Sequence, residues 1–400
     1  MSAPNPAKIK ALVDALLPWF AREARDLPWR RTRDPYAIWV SEIMLQQTQV
    51  KTVIPYWERW MQALPTLEAA AAASSDQIHK LWEGLGYYTR VRNLQKAAQL
   101  IVERHSGRFP EAFDDILALP GIGRYTAGAI ASIALNQPAP ILDGNVIRVL
   151  TRLFGIAENP KAKPTNKRLW QLAEELVKTA QPHPSIRGSR RQQAPDSKSP
   201  GRPDGCSALN QSLMELGALV CTPRSPQCPV CPAKKLCVAF RENRVAELPH
   251  LGLRLKPTAR HFVAFALEQD GKFLVRQRPA GRVNAHLWEF PNLEVEEGKA
   301  DAEKLFKSEF GFAAQRFLPL LTVRHSITRY RITLEAFQVH LAAAKSPTTA
   351  LSLRSSATDA ETAAAWKTPA QMHELAFPSA HRKILRVLAA RASCPCVSTA

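Results

Sequence analysis

The stretch CTPRSPQCPVCPAKKLC, from Cys221 to Cys237, holds four of the chain's seven cysteines and limits the fold more than any other segment. The gaps between these thiols are six, two and five residues. Thiols crowded into one loop suit a shared metal site better than a disulfide framework that ties distant segments together. Zinc sites usually show two Cys-x2-Cys pairs, and only Cys228 and Cys231 form one here. Four thiolates are also the usual ligand set of a [4Fe–4S] cluster, and the longer, unequal flanks let one loop wrap that bulkier group. Residue types alone leave both metals open, with the cluster the better match. Cys206, Cys394 and Cys396 lie outside the pattern and receive no role.

Charge narrows the class of partner. Lys and Arg number 54 against 35 Asp and Glu, a formal charge of +19. Such an excess points to a polyanion, nucleic acid first among them. At 400 residues and 46% apolar composition, the chain has material for two or three domains. No segment is long and apolar enough to span a bilayer. The opening MSAPNPAKIKALVDALLPWF is broken by Lys8, Lys10 and Asp14, unlike a signal peptide. The expectation is a soluble protein of the cytoplasm, acting as a monomer.

The hydrophobic pattern changes once. Up to the cysteine loop, apolar residues recur at helical spacing, and Asp34-Pro35 is a helix start. TLEAAAAASSDQIHKLWEGLGYYTRVRNLQKAAQLIVERHSG reads as two helices broken near Gly84 and Gly86. Gln181 to Gly205 is rich in Pro, Gly, Ser and Arg and predicts a disordered insertion. From residue 258, the runs HFVAFAL, KFLVRQR, LWEFPNLEV and RITLEAFQVHL read as strands, with a turn at Asp270-Gly271. DAEKLFKSEFG and SAHRKILRVLAARA read as helices, and AAAKSPTTALSLRSSATDAETAA as a loop. The prediction is an all-α domain over 1–240, a connector over 241–257 and an α+β domain over 258–392.

Three positions offer chemistry on residue type alone. In LPGIGRYTAG, Leu119 to Gly128, Gly121 and Gly123 leave backbone N–H groups free to face an anion beside a helix N-terminus, a cradle for phosphate. Asp143, in ILDGNVIRVL, stands just before a helix, where it caps the N-terminus and stays ionised in the dipole's field. Glu42 lies between Val40 and the pair Ile43 and Met44. Apolar surroundings raise a carboxyl's pKa and make it a usable general acid near neutrality.

The blocks LPWR, DPYAIWVSEIMLQQTQV, WEGLGYYTRVRNL, LPGIGRYTAGAIASIA, DGNVIRVLTRL, NQSLMELGA and the cysteine loop, in that order, resemble the adenine DNA glycosylases of the MutY family. These belong to the endonuclease III-like helix-hairpin-helix superfamily, whose cysteine spacing the loop also resembles. The resemblance implies an all-α glycosylase core, with the hairpin at 119–128 and a [4Fe–4S] loop at 221–237. A Nudix-like α+β domain that reads 8-oxoguanine would follow. It implies that Glu42 protonates adenine N7 and that Asp143 stabilises the oxocarbenium ion or bonds to C1′. Tyr125 and Asn145 would support Asp143 and the sugar. Arg25, Trp29, Arg30, Leu45 and Gln211 would lie near the adenine. Gln47 and Tyr87 or Tyr88 would enter the base stack of double-stranded DNA carrying an A:8-oxoguanine or A:G mispair.

Where bifunctional superfamily members place the lysine that forms a Schiff base, this chain has Tyr125, so a monofunctional enzyme is expected. GKADAEKLFKSEFGF lacks the glutamate-rich Nudix metal box, so no pyrophosphatase activity is expected. Many family members carry Phe-Ser-His in the lesion-reading loop, and here Ile327, Thr328 and Arg329 stand in those positions. Two other readings are weighed: an endonuclease III-like glycosylase and lyase for oxidised pyrimidines, and a non-catalytic iron–sulfur DNA-binding or redox-sensing protein.

Overall fold

The computed structural model describes residues 5–181, 205–252, 256–296, 301–311, 313–327, 329–341 and 363–392. Most of the insertion expected between Gln181 and Gly205 lies outside the described residues, as do most of the polar loop before Ala364, Thr328, Cys394 and Cys396. The chain divides into two compact units, Met1–Ala72 with Arg92–Leu253 and Ala73–Val91 with Arg254–Ala400. The sequence pattern had kept Ala73–Val91 with the helical domain. In the structure that stretch packs with the C-terminal residues.

The N-terminal half of the chain carries α1 (Pro6–Glu23), α2 (Pro35–Leu45), α3 (Val50–Ala63), α4 (Leu67–Ala72), α5 (Ser75–Leu81), α6 (Thr89–His105) and α7 (Phe113–Leu117). It continues with α8 (Arg124–Ile133), α9 (Gly144–Phe154), α10 (Lys163–Thr179), α11 (Gly205–Leu219) and α12 (Val238–Arg241). Where two helices were expected around Gly84 and Gly86, three occur. Ser74 accepts a hydrogen bond from Gln77 N and starts α5 as a separate helix. Among the described residues no helix is long and apolar enough to cross a membrane.

The core of the helical unit joins α1, α9, α10 and α11 through Leu12, Leu16, Val149, Leu150, Leu172, Leu176, Leu209 and Leu213. Close approach depends on glycine. A methyl on Gly217 of α11 would lie 2.7 Å from Asn145 Cβ of α9, and one on Gly128 of α8 would lie 2.2 Å from the Pro140 carbonyl oxygen. Gly205, the expected end of the insertion, is instead the buried first residue of α11. A Cβ there would fall 1.8 Å from Ala180 O.

The second unit contains one mixed sheet. Its strands are β1 (Thr258–Gln269), β2 (Lys272–Gln277), β3 (Trp288–Glu289), β4 (Asn292–Val295), β5 (Arg316–Ile327), β6 (Tyr330–His340) and β7 (Ala364–Lys367). The order is β3-β2-β1-β6-β5, with β4 paired to β1 and β7 to β2. β1 and β6 run parallel, and the other pairs are antiparallel. The apolar run HFVAFAL becomes a central strand buried on both faces. Val263, Phe265 and Leu267 pack with Phe306 of α13 (Ala302–Phe310). Ala264 and Ala266 share the opposite core with Ile384, Leu385 and Leu388 of α15 (Ser379–Ala392), near the short α14 (Pro369–His373).

Candidate active site

A cleft of about 640 Å³ in the helical unit is lined by Glu42, Tyr125, Asp143, Asn145, Gln211, Met214 and Glu215, with Arg25, Trp29, Arg30 and Leu45. Sequence reasoning selected these residues one by one, except Met214 and Glu215. Their convergence follows from how each helix starts and packs.

Asp34 accepts from the N–H groups of Tyr36 and Ala37, and Pro35 occupies the first turn of α2. Almost all of α2 is buried, and Glu42 with it, at 5% exposure. Burial is the main force on its carboxyl, and the nearby Asp143 charge adds to it. The Tyr125 hydroxyl and Arg30 oppose them, and the result is a pKa raised to about 7. Tyr125 Oη donates to Glu42 Oε2 at 2.8 Å and also lies 3.4 Å from Met214 Sδ. Tyr125 therefore orients Glu42 directly. Asp143, which Tyr125 was expected to support, lines the same cleft.

Asp143 caps α9. Its Oδ1 accepts from Val146 N at 2.7 Å and its Oδ2 from Asn145 Nδ2 at 3.0 Å. Burial raises its pKa, and these two bonds oppose the rise. Asn145 is itself held, because Arg148 Nη2 donates to Asn145 Oδ1 at 2.8 Å and to Gly217 O at 2.7 Å. Arg148 Nε continues to Cys221 O at 2.7 Å, so the cysteine loop and the cap of α9 share one guanidinium.

Arg25 and Arg30 line the cleft but spend their donors on Glu215. Arg25 Nε and Nη2 reach its two oxygens at 2.8 and 2.7 Å, and Arg30 Nη2 lies 2.9 Å from Oε2. Burial pushes the Glu215 pKa up, but the two arginines outweigh it and hold it at about 2. Glu215 was missed by sequence reasoning, although a lone acidic residue in the apolar stretch SLMELGALV is a readable signal. Gln211 donates to Ser207 Oγ at 3.1 Å, and Trp29 is buried edge-on against Trp57.

Gln47 is exposed at the cleft's lip with φ +58°. Of the two tyrosines, Tyr87 is 43% exposed, again with positive φ, whereas Tyr88 is 4% exposed. The Tyr88 hydroxyl accepts from Gly84 N at 3.2 Å, so this residue builds a turn and is not available to DNA. Of the two tyrosines expected at the base stack, Tyr87 is the exposed one.

The hairpin α7–turn–α8 presents Gly121 and Gly123 at the surface. Gly121 has φ +77°, and a methyl there would lie 2.6 Å from Asn93 Cβ. Gly123 caps α8 in an extended conformation with nothing within 4 Å of an added Cβ. Gly121→Ala is expected to lower stability by about 1–3 kcal/mol, the order of a left-handed strain plus a clash. Gly123→Ala is expected to leave stability nearly unchanged. Thermal unfolding of both variants checks the contrast.

The four cysteines of the loop line one small cavity, with apolar walls from Val149, Leu153, Leu216, Val220 and Phe240. Arg152 Nη1 lies 3.3 Å from Cys221 Sγ and also donates to Thr222 O, while its Nε donates to Leu248 O. In the second unit, Arg329 between β5 and β6 and Arg260 of the neighbouring β1 lie over the Tyr330 ring at 5.2 and 5.1 Å. Arg329 Nη2 also donates to the Tyr330 hydroxyl.

A helical unit with a glycine hairpin and a cleft that holds a buried Glu42 and a half-buried Asp143 has the make-up of a helix-hairpin-helix DNA glycosylase. The family described as HhH-GPD superfamily base excision DNA repair protein matches residues 40–175, and the NUDIX domain family matches residues 262–387. The chain belongs to the adenine DNA glycosylase family. It is 33% identical to the human adenine DNA glycosylase, over 95% of this chain and 74% of that protein. Identity to the mouse adenine DNA glycosylase is also 33%, over 95% of this chain and 78% of that one. The Arabidopsis thaliana adenine DNA glycosylase is 38% identical over 70% of this chain and 47% of its own length. The chain is accordingly a base excision repair enzyme that hydrolyses N-glycosyl bonds.

Proposed function

We propose that the enzyme removes adenine paired with 8-oxoguanine or guanine in duplex DNA and stops at the abasic site. The observation that carries this reading is a single cleft in which, beside the arginine-paired Glu215, two further carboxyl groups sit in different environments, Glu42 buried in an apolar helix and Asp143 hydrogen-bonded as a helix cap. Such a pair divides acid and anion roles by environment.

Adenine leaves the stack to enter the cleft; Gln47 is one candidate to enter the stack and the exposed Tyr87 the other. Glu42, protonated near neutral pH, passes its proton to adenine N7. The C1′–N9 bond then breaks with its electron pair going to the base, which departs neutral. The sugar is left as an oxocarbenium ion. Asp143, whose carboxylate accepts hydrogen bonds from Val146 N and Asn145, faces that cation in its ionised form or bonds briefly to C1′. Water adds at C1′ and returns a proton to the carboxylates. Tyr125 has no amine, so no imine holds the product for strand cleavage.

Cys221, Cys228, Cys231 and Cys237 would hold a [4Fe–4S] cluster. The donor set fits: four cysteines unpaired by disulfides around one apolar-walled cavity. When bound, the cluster braces the loop and its basic residues Arg224, Lys234 and Lys235 near the DNA backbone. The C-terminal unit would read 8-oxoguanine through the β5–β6 tip. Ile327, Thr328 and Arg329 would stand there in place of the Phe-Ser-His of many family members.

The test is single-turnover base release from duplexes with A opposite 8-oxoguanine, G, C or T, followed by borohydride trapping. The expected order is 8-oxoguanine, then G, well ahead of C and T, with strand breaks only after alkali. A borohydride adduct as efficient as a lyase gives would favour an endonuclease III-like mechanism instead.

A further inference from the structure

The stretch Ala73–Val91 has chain neighbours on both sides, Ala72 and Arg92, in the helical unit, yet it belongs to the C-terminal unit. Buried Glu83 joins it there. Glu83 Oε1 accepts from the backbone N–H of Phe377 at 3.0 Å, and Oε2 pairs with Arg382 at 3.5 Å and Lys80 at 3.2 Å. Lys80 also donates to the carbonyls of His373 and Leu375. These partners sit around α14 and the start of α15, far away in sequence.

Tyr87 stands four residues beyond Glu83 in a turn that is closed on itself. Trp82 Nε1 donates to Gly86 O at 3.1 Å, Gly84 N to the Tyr88 hydroxyl at 3.2 Å, and Arg90 Nη2 to Leu85 O and Gly86 O at 3.1 and 3.0 Å. The Arg90 guanidinium lies 5.6 Å from the Tyr87 ring centroid. A turn braced in this way moves as a piece, so the anchoring of Glu83 sets where the exposed Tyr87 ring points.

We infer that Glu83 is a positioning residue through which the C-terminal unit holds Tyr87 ready to enter the base stack. This rests on the reading of Tyr87 as the stack-filling residue. The anchor makes base extrusion depend on the integrity of the C-terminal unit, while the chemistry at Glu42 and Asp143 does not depend on it.

The test uses the full chain carrying Glu42→Gln to block excision, and a duplex with 2-aminopurine in place of the target adenine opposite 8-oxoguanine. The rise in fluorescence as the base unstacks reports extrusion by stopped flow. Glu83→Gln keeps an acceptor for Phe377 N but removes the charge, and it should slow extrusion about tenfold. Tyr87→Ala should slow it at least as much, and the double variant no more than Tyr87→Ala alone. Arg382→Ala, on the other side of the pair and half-exposed, should slow it in the same direction and guards against a folding defect in Glu83→Gln. Unchanged extrusion in both anchor variants beside a slow Tyr87→Ala overturns the positioning role and leaves the stack-filling reading intact. Fully additive effects overturn it too. Unchanged extrusion in Tyr87→Ala removes the reading beneath it.

Discussion

Glu42→Gln is expected to lower the single-turnover rate of adenine release by about a hundredfold to ten-thousandfold, the range that a general acid supplies. Binding to the same duplex should be nearly unchanged. The reason is geometric as well as electrostatic. Gln fills the same volume and can still accept from Tyr125, so only the transferable proton is lost. The pH profile sharpens the expectation. Wild-type release requires protonated Glu42, so it should fall as pH rises through about 7, and in the Gln variant that basic limb should be absent. Stability should respond with a definite sign. The folded pKa lies above the ordinary value of 4.5, so the folded state binds a proton that the unfolded state gives up. That contribution is complete below about 4.5 and lost as pH rises through about 7. The Gln variant should therefore unfold at a higher temperature than wild type at alkaline pH, a case of function held at a cost in stability. Calorimetry on either side of neutrality, beside the kinetics, checks both halves.

Asp143→Asn is expected to reduce release by roughly a hundredfold to a thousandfold, the scale seen when a preorganised charge-stabilising group is removed. Asp143 also caps α9, and two variants tell the roles apart. Asn can keep the cap bond from Val146 N but offers no second acceptor to Asn145 Nδ2, so Asp143→Asn should melt slightly lower and lose most of the rate. Asp143→Ala should lose the cap as well, at about 1 kcal/mol, and melt lower still. Kinetics and thermal unfolding of the pair distinguish a chemical role from a merely structural one. An Asn variant with full activity would leave Asp143 as nothing more than a cap.

The parts of this site that could be read from sequence were those whose chemistry is local. Glu42 lies in a helix that is apolar almost throughout, Asp143 immediately precedes the helix it caps, and the cysteines lie together in one loop. Gly121 is needed because of its own backbone angle, so a glycine in LPGIG was readable too. What escaped depends on contacts distant in sequence. The charge of Glu215 is balanced by Arg25 and Arg30 from the far end of the unit, and its role is visible only once α11 packs beside them. Tyr87 and Tyr88 are adjacent and chemically identical, and only the turn closed by Gly84 N decides which is buried. The partition of Ala73–Val91 follows from Glu83 and Lys80 meeting residues near Phe377, which no local pattern encodes.

The most direct test of the central claim, that a proton from buried Glu42 to the purine ring breaks the glycosidic bond, uses 7-deaza-2′-deoxyadenosine opposite 8-oxoguanine. This nucleoside keeps the shape of adenine and its Watson–Crick edge but has carbon where N7 would accept the proton. The account predicts tight binding and no measurable release under conditions where adenine is excised to completion. Release at a rate near that of adenine would contradict it.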